Sequence, residues 1–339
     1  MQVQLTQMIQ RHWGRQVYAI RDKRKAIVAD TNKGLLYVKS YSSKEKADWV
    51  VSLSRQLLQK GFSETLRYYD TKEGRSVVPF NGSYFVAIRP IMGRDAKYDD
   101  VYDVMRTVHC LGEYHRHAKG IEGGPSLETK AAPIIEKWEN RLERFLLVTQ
   151  KLQSSRSVGN LEKRIIRISP YILAEARAAL DMARRSPIVE EYQAALASRA
   201  VAHRDLASHN FLIGDKTFLI DYDTAMYDTP LIDLIQMIDR TLDQQKWQFD
   251  CFYRMMEQYQ LSVPLTEQQY ALVYLLLRYP DNFMREVIGL YEGKRRFVSK
   301  KIDAYLTMII KQWSQRMNFF RGSQHFLYEE QQSESTIVV

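Results

Sequence analysis

From residue 17 to 41 the apolar residues come in short runs broken by charged or turn residues. Val17-Tyr18-Ala19-Ile20 and Ala26-Ile27-Val28-Ala29 are two such runs, and Leu35-Leu36-Tyr37-Val38 follows the turn Asn32-Lys33-Gly34. The pattern predicts a β-hairpin or meander. The spacing then switches to three and four. Ser42 and Glu45 predict a capping box at a helix start. Ala47, Val50, Val51, Leu53, Leu57 and Leu58 mark its apolar face, and Gly61 its C-terminal cap. Val77-Val78-Pro79-Phe80 and Tyr84-Phe85-Val86-Ala87-Ile88, around Asn81-Gly82, read as two further strands. Beyond the crossover Pro90-Ile91-Met92-Gly93-Arg94 the period is helical, with helices expected near 98–118, 133–152, 170–185 and 187–199, and a loop at Gly120–Pro125. Ser169-Pro170 predicts a helix start, with Ser as cap and Pro in the first turn. One interruption follows. Phe211-Leu212-Ile213 and Thr217-Phe218-Leu219-Ile220 flank Gly214-Asp215 and read as a hairpin, after which helical spacing runs to about residue 320. No internal repeat is evident. The reading is α+β: a β-rich N-terminal part, residues 1–90, a large helical part, residues 91–322, and a flexible polar tail, residues 323–339.

The interrupting segment carries the chemistry. Residues 203–210 are His-Arg-Asp-Leu-Ala-Ser-His-Asn, and Asp221 closes the second strand of the hairpin. The run resembles the H-R-D-L-x-x-x-N loop and metal-binding Asp of kinase-like phosphotransferases. The chemistry explains the spacing. Asp205 would take the proton of an attacking hydroxyl. Asn210, five residues on, would return its amide oxygen toward the same centre, and Asp221 would supply the main carboxylate for Mg²⁺. His203 would support the loop. The resemblance implies a two-lobed protein-kinase-like fold with a small β-rich N-lobe and a large helical C-lobe, and ATP and Mg²⁺ as cofactors. Asp221 is followed by Tyr222-Asp223, so the D-F-G of protein kinases is absent, and no A-P-E segment is visible.

Composition sharpens this only slightly. A chain of 339 residues with 45% hydrophobic content can build a large core. Its net charge of +9 favours anionic partners, although acidic and basic residues are interspersed. Basic clusters at Arg21–Lys25 and Lys294-Arg295-Arg296 read as solvated faces, and without a recognition motif a nucleic-acid role is not expected. No run of 18 apolar residues occurs, so no membrane span is expected, and Met1–Leu5 lacks a signal-peptide pattern. The two cysteines, Cys110 and Cys251, lie in apolar helical surroundings and read as buried thiols.

Leu36-Tyr37-Val38-Lys39-Ser40-Tyr41 resembles the kinase strand that carries the phosphate-contacting lysine, which makes Lys39 the candidate nucleotide anchor. A solvent-facing strand lysine is the alternative. Two departures stand out. The helix after this strand offers Glu45 only in its first turn, where it also serves the cap, instead of a glutamate in its middle. The connection Arg21-Asp22-Lys23-Arg24-Lys25 has no glycine, so backbone amides cannot approach phosphates closely there.

Tyr227-Asp228-Thr229-Pro230-Leu231-Ile232-Asp233-Leu234 is similar to the segment after the metal Asp in aminoglycoside phosphotransferases and choline kinases. The Val38-Lys39-Ser40-Tyr41 strand, Gly61-Phe62, Met92-Gly93-Arg94, His115, Trp138-x-x-Arg141 and Ile220-Asp221-Tyr222-Asp223 fall in an order that resembles one branch of that family, the CotS-type (YsxE-like) spore coat proteins of endospore-forming bacteria. The resemblance covers residues 15–320. It implies that Asp233 braces the catalytic loop and that His115 packs structurally. It implies synthesis in the mother cell and residence in the spore coat, with coat proteins as partners and an unidentified hydroxyl acceptor. Two functions follow from it: an ATP-dependent phosphotransferase, or a kinase-fold structural protein of the coat with weak or no catalysis.

Overall fold

The computed structural model describes residues 2–23, 26–125, 132–293 and 300–322. The expected tail at 323–339 and the Lys294-Arg295-Arg296 cluster lie outside the described residues, as do Arg24 and Lys25. The elements in chain order are α1 (Gln2–Trp13), β1 (Val17–Lys23), β2 (Ala26–Thr31), β3 (Gly34–Tyr41), α2 (Lys44–Gln59), β4 (Tyr68–Tyr69), β5 (Val78–Phe80), β6 (Ser83–Ile88), β7 (Arg94–Asp95) and α3 (Val101–His117). Then come α4 (Pro133–Ser154), α5 (Asn160–Arg185), α6 (Ile188–Ala197), β8 (Val201–Ala202), β9 (Phe211–Ile213), β10 (Thr217–Leu219) and β11 (Met226–Tyr227). Helices α7 (Pro230–Gln244), α8 (Phe249–Gln260), α9 (Glu267–Leu276), α10 (Asp281–Tyr291) and α11 (Lys300–Gly322) complete the fold. The α+β reading holds: an N-terminal antiparallel sheet precedes a mostly helical C-terminal part.

The chain divides into two compact units. The first gathers the sheet, the part of α3 from Arg106 onward and the segment Ala195–Pro230; the second gathers Tyr98–Met105 and the helices from α4 to α11, apart from the end of α6.

In the first unit the sheet runs β1-β2-β3-β6-β4, with β5 also paired to β6, and every pairing is antiparallel. Alternation along β3 sorts its side chains onto two faces. Leu36 and Val38 join Ala29, Phe85 and Ala87 against Leu5, Met8, Ile9 and Trp13 of α1. Tyr37, Lys39 and Tyr41 are left on the opposite face. The sequence reading did not include α1, although Leu5, Met8 and Ile9 have helical spacing. The β5–β6 turn places Asn81 at φ 46° and Gly82 at φ 71°, the left-handed pair that a two-residue hairpin requires.

Helix α2 starts one residue later than expected. Ser43 is its N-cap and accepts from the Lys46 amide at 3.2 Å. That puts Lys46, not Glu45, at the third helical position, so no capping box forms and Glu45 is exposed. At the other end Lys60 is the cap and Gly61 follows it at φ 101°. The Phe62 amide bonds Leu57 O at 2.9 Å and the Gly61 amide bonds Leu58 O at 3.1 Å, which together satisfy the final carbonyls.

In the second unit the helix expected to begin at Ser169-Pro170 begins at Asn160, and Pro170 lies inside α5. Pro170 has no N–H to offer the preceding turn. Ser169 turns its hydroxyl back onto Ile165 O at 2.6 Å instead of capping a new helix. Trp138 of α4 and Tyr279 stack at 4.1 Å, and the Tyr279 hydroxyl donates to Trp138 O at 2.7 Å. At the centre of this unit Arg316 of α11 donates to Asp239 of α7 at 3.2 Å and to the carbonyls of Leu277 and Arg278 at 2.9 and 3.1 Å. Its guanidinium lies 4.3 Å from the Trp247 ring centre. Asp243, one turn along α7, accepts from Trp247, Asn282 and Tyr305. Both cysteines are buried free thiols, and no helix among the described residues is long and apolar enough to cross a membrane.

Candidate active site

The first unit assembles the chemistry-bearing residues around the β9–β10 hairpin. Leu219 pairs with Phe211, and the Ile220 amide donates to Asn210 O at 2.9 Å, so the strand that delivers Asp221 is closed onto the loop that carries Asn210. Helix α3 supports the hairpin from outside: Arg106 donates to Gly214 O at 2.7 Å and to the Thr217 hydroxyl at 3.1 Å. His203 is fully buried, and its Nε2 is 2.9 Å from Ile220 O. Its Nδ1 accepts from the Asp205 amide at 3.3 Å. His203 therefore ties the start of the loop to the residue before Asp221.

Asp205 is partly exposed on this loop. The Asn210 side-chain amide donates to the Asp205 carbonyl at 2.8 Å, which fixes the amide plane and turns its oxygen the other way. Asp221 takes the left-handed conformation, φ 69° and ψ 63°. Tyr222 points away into the core. It stacks on Tyr114 at 6.0 Å, and its hydroxyl bonds Thr65 at 2.6 Å and Leu219 O at 3.1 Å. Burial pushes the Tyr222 phenol well above its ordinary range, so it remains a neutral donor.

Lys39 reaches this segment from β3. Its ammonium lies 2.6 Å from Asp221 Oδ1 and 2.7 Å from Asp223 Oδ1. Sequence reasoning missed Asp223, although its place two residues after Asp221 was the available signal. It also missed the residues that hold this turn. The Lys46 ammonium donates to Asp223 O, and the Trp49 indole donates to Ala225 O at 2.8 Å. Burial, then the neighbouring Tyr68 and the two aspartates, push the Tyr41 phenol far above its ordinary range. Glu45 is exposed on α2, and Lys39 pairs with Asp221 and Asp223 instead. Asp233 lies fully buried near the start of α7, in the second unit.

Asp221 and Asn210 offer a carboxylate and an amide, hard oxygen donors of the kind that suit Mg²⁺. Among the described residues no group of three or more His, Cys, Asp or Glu side chains is placed to hold a metal by itself.

Solved structures share this arrangement of elements. An aminoglycoside phosphotransferase from Alicyclobacillus acidocaldarius subsp. acidocaldarius DSM 446 superposes with a TM-score of 0.79 at 15% identity, over 92% of this chain and 93% of that one. Spectinomycin phosphotransferase APH(9)-Ia, solved with ADP and spectinomycin, gives 0.66 at 14% identity, over 91% and 94%. The fold is the kinase-like fold of the aminoglycoside phosphotransferases. Within it, the family model described as "Spore coat putative kinase YutH" matches residues 6–323, and the chain belongs to that family. Spore coat protein S of Bacillus subtilis (strain 168) is 21% identical over 273 residues, 77% of this chain and 75% of that protein. The spore-coat branch expected from the sequence is thus borne out, and the family within it is YutH.

Proposed function

We propose that this chain is an ATP-dependent kinase of the spore coat, made in the mother cell, that phosphorylates a hydroxyl on a small molecule or a coat component. The observation that carries this reading is the 2.6 Å contact between Lys39 and Asp221, which joins residues 182 positions apart. Lys39 anchors the nucleotide phosphates. Asn210 and Asp221 hold Mg²⁺, which when bound offsets phosphate charge. Asp205 accepts the proton as the acceptor oxygen bonds to the γ-phosphorus and ADP leaves. His203 braces the loop. Positioning and electrostatics supply the rate enhancement. The ADP in the spectinomycin phosphotransferase structure supports nucleotide as the ligand class. Coat proteins are the expected neighbours, and a fluorescent fusion gathering at the forespore during sporulation is the expected localisation.

Calorimetric titration with ATP, with and without Mg²⁺, tests the reading. Binding by the wild type should require the metal, and Asp221→Asn should remove that requirement together with most of the affinity. Asp205→Asn should leave binding intact and lower turnover about 10²–10⁴-fold. Metal-independent binding would remove Asp221 from the role. A structural coat protein is the second reading, favoured by the glycine-free β1–β2 connection. Absence of nucleotide binding in the wild type would select it.

A further inference from the structure

Protein kinases orient their strand lysine with a glutamate on the following helix. Here α2 has no such residue. Its buried side chains are Ala47, Trp49, Val50, Val51, Leu53, Ser54 and Leu57, none of them acidic. Its two acids, Glu45 and Asp48, are exposed, and Asp48 is engaged by Lys44 at 2.5 Å.

We propose that Asp223 is the positioning residue for Lys39 and replaces the helix glutamate. The inference rests on the reading of Lys39 as phosphate anchor. The 2.7 Å contact between Lys39 and Asp223 supplies the pairing. Asp223 is itself fixed from several sides. Lys46 holds its carbonyl, and Trp49 holds the carbonyl of Ala225. The Thr224 hydroxyl adds a bond to His203 O at 2.9 Å. A carboxylate carried on backbone held this firmly sets where the ammonium goes. Two carboxylates flank Lys39, and their duties divide: Asp221 is given up to the metal, and Asp223 keeps the lysine. Helix α2 then governs Lys39 through the backbone of residues 223–225 and not through an acid of its own.

The test is a double-mutant cycle on nucleotide affinity, read with a fluorescent ATP analogue over a range of Mg²⁺ concentrations, together with NMR of the Lys39 ammonium in nucleotide-free protein. Asp223→Asn should weaken binding about 10–100-fold, the worth of one charged hydrogen bond. Its Mg²⁺ dependence should stay that of the wild type, and Asp223→Glu should recover most of the loss. In a Lys39→Met background Asp223→Asn should cost almost nothing further. The protected Lys39 ammonium signal should shift in Asp223→Asn, where Asp221 alone still holds it, and stay unmoved in Glu45→Gln. Full additivity with Lys39→Met, or a loss seen only at limiting Mg²⁺, would overturn the assignment and make Asp223 an independent group or a metal ligand. If the wild type binds no nucleotide, the kinase reading falls. The ammonium signal still decides the pairing: a signal unmoved by Asp223→Asn sinks the proposal on its own.

Discussion

Each compact unit contains a cluster of two aspartates around one cation, and the two clusters behave as opposites. In the sheet unit Lys39 meets Asp221 and Asp223, with side chains 10%, 21% and 22% exposed. In the helical unit Arg316 meets Asp239 with side chains 5% and 6% exposed, and Asp243 lies beside them at 2%. The lysine is a point charge on a flexible stem, free to exchange one oxygen partner for another. The arginine is locked: two backbone carbonyls and an aromatic face hold its planar group in one orientation. Solvent screens the first pair of carboxylates. Burial and the charge of Asp243 push Asp239 up to about 8 against the opposing pull of Arg316, and burial raises Asp243 as well. The same charge inventory therefore serves an exchangeable site in one place and a structural lock in the other, and accessibility to water decides which.

The sharpest way to break the comparison is to remove each cation. Arg316→Met removes the buried partner of Asp239 and leaves two backbone carbonyls without their donor, and should cost about 3–5 kcal/mol in urea unfolding. The pH dependence of stability should follow the same cluster. Asp239 holds its proton more tightly when folded than unfolded, so its contribution is complete below the ordinary carboxylate range and is lost as pH rises toward about 8. Stability should fall over that window by at most about 1.4 kcal/mol per pH unit, and Asp239→Asn should flatten the slope. Lys39→Met leaves carboxylates that water still reaches, so its cost in the same unfolding assay should stay within about 1 kcal/mol. A loss as large as that of Arg316→Met would erase the distinction.

The sequence carried the polar landmarks of the first cluster but not their pairing. His203, Asp205, Asn210 and Asp221 are close along the chain and follow a fixed spacing. Lys39 was found through its strand. That it meets Asp223 is a fact of tertiary geometry, since the two are 184 positions apart. The second cluster left no readable motif, because Asp239 and Asp243 look like the polar stripe of an ordinary amphipathic helix and Arg316 like a surface residue. Local rules misplaced two helix starts for one reason: Ser42 against Ser43, and Ser169-Pro170 within α5, are choices between equivalent local signals that packing resolves. Helix α1 needed only its own spacing of Leu5, Met8 and Ile9 to be read.

The left-handed backbone at Asp221 bears on how this protein drifts if its chemistry is ever abandoned. At φ 69° a side chain with a bulky or branched β-carbon is strained, and Gly, Asn and Asp are the residues that tolerate it best. Relaxed selection would then leave a narrow signature, Asp, Asn or Gly at position 221, and seldom Val, Ile or Thr. A drifting family member keeps a small or short polar residue here by backbone geometry alone, whether or not its carboxylate works.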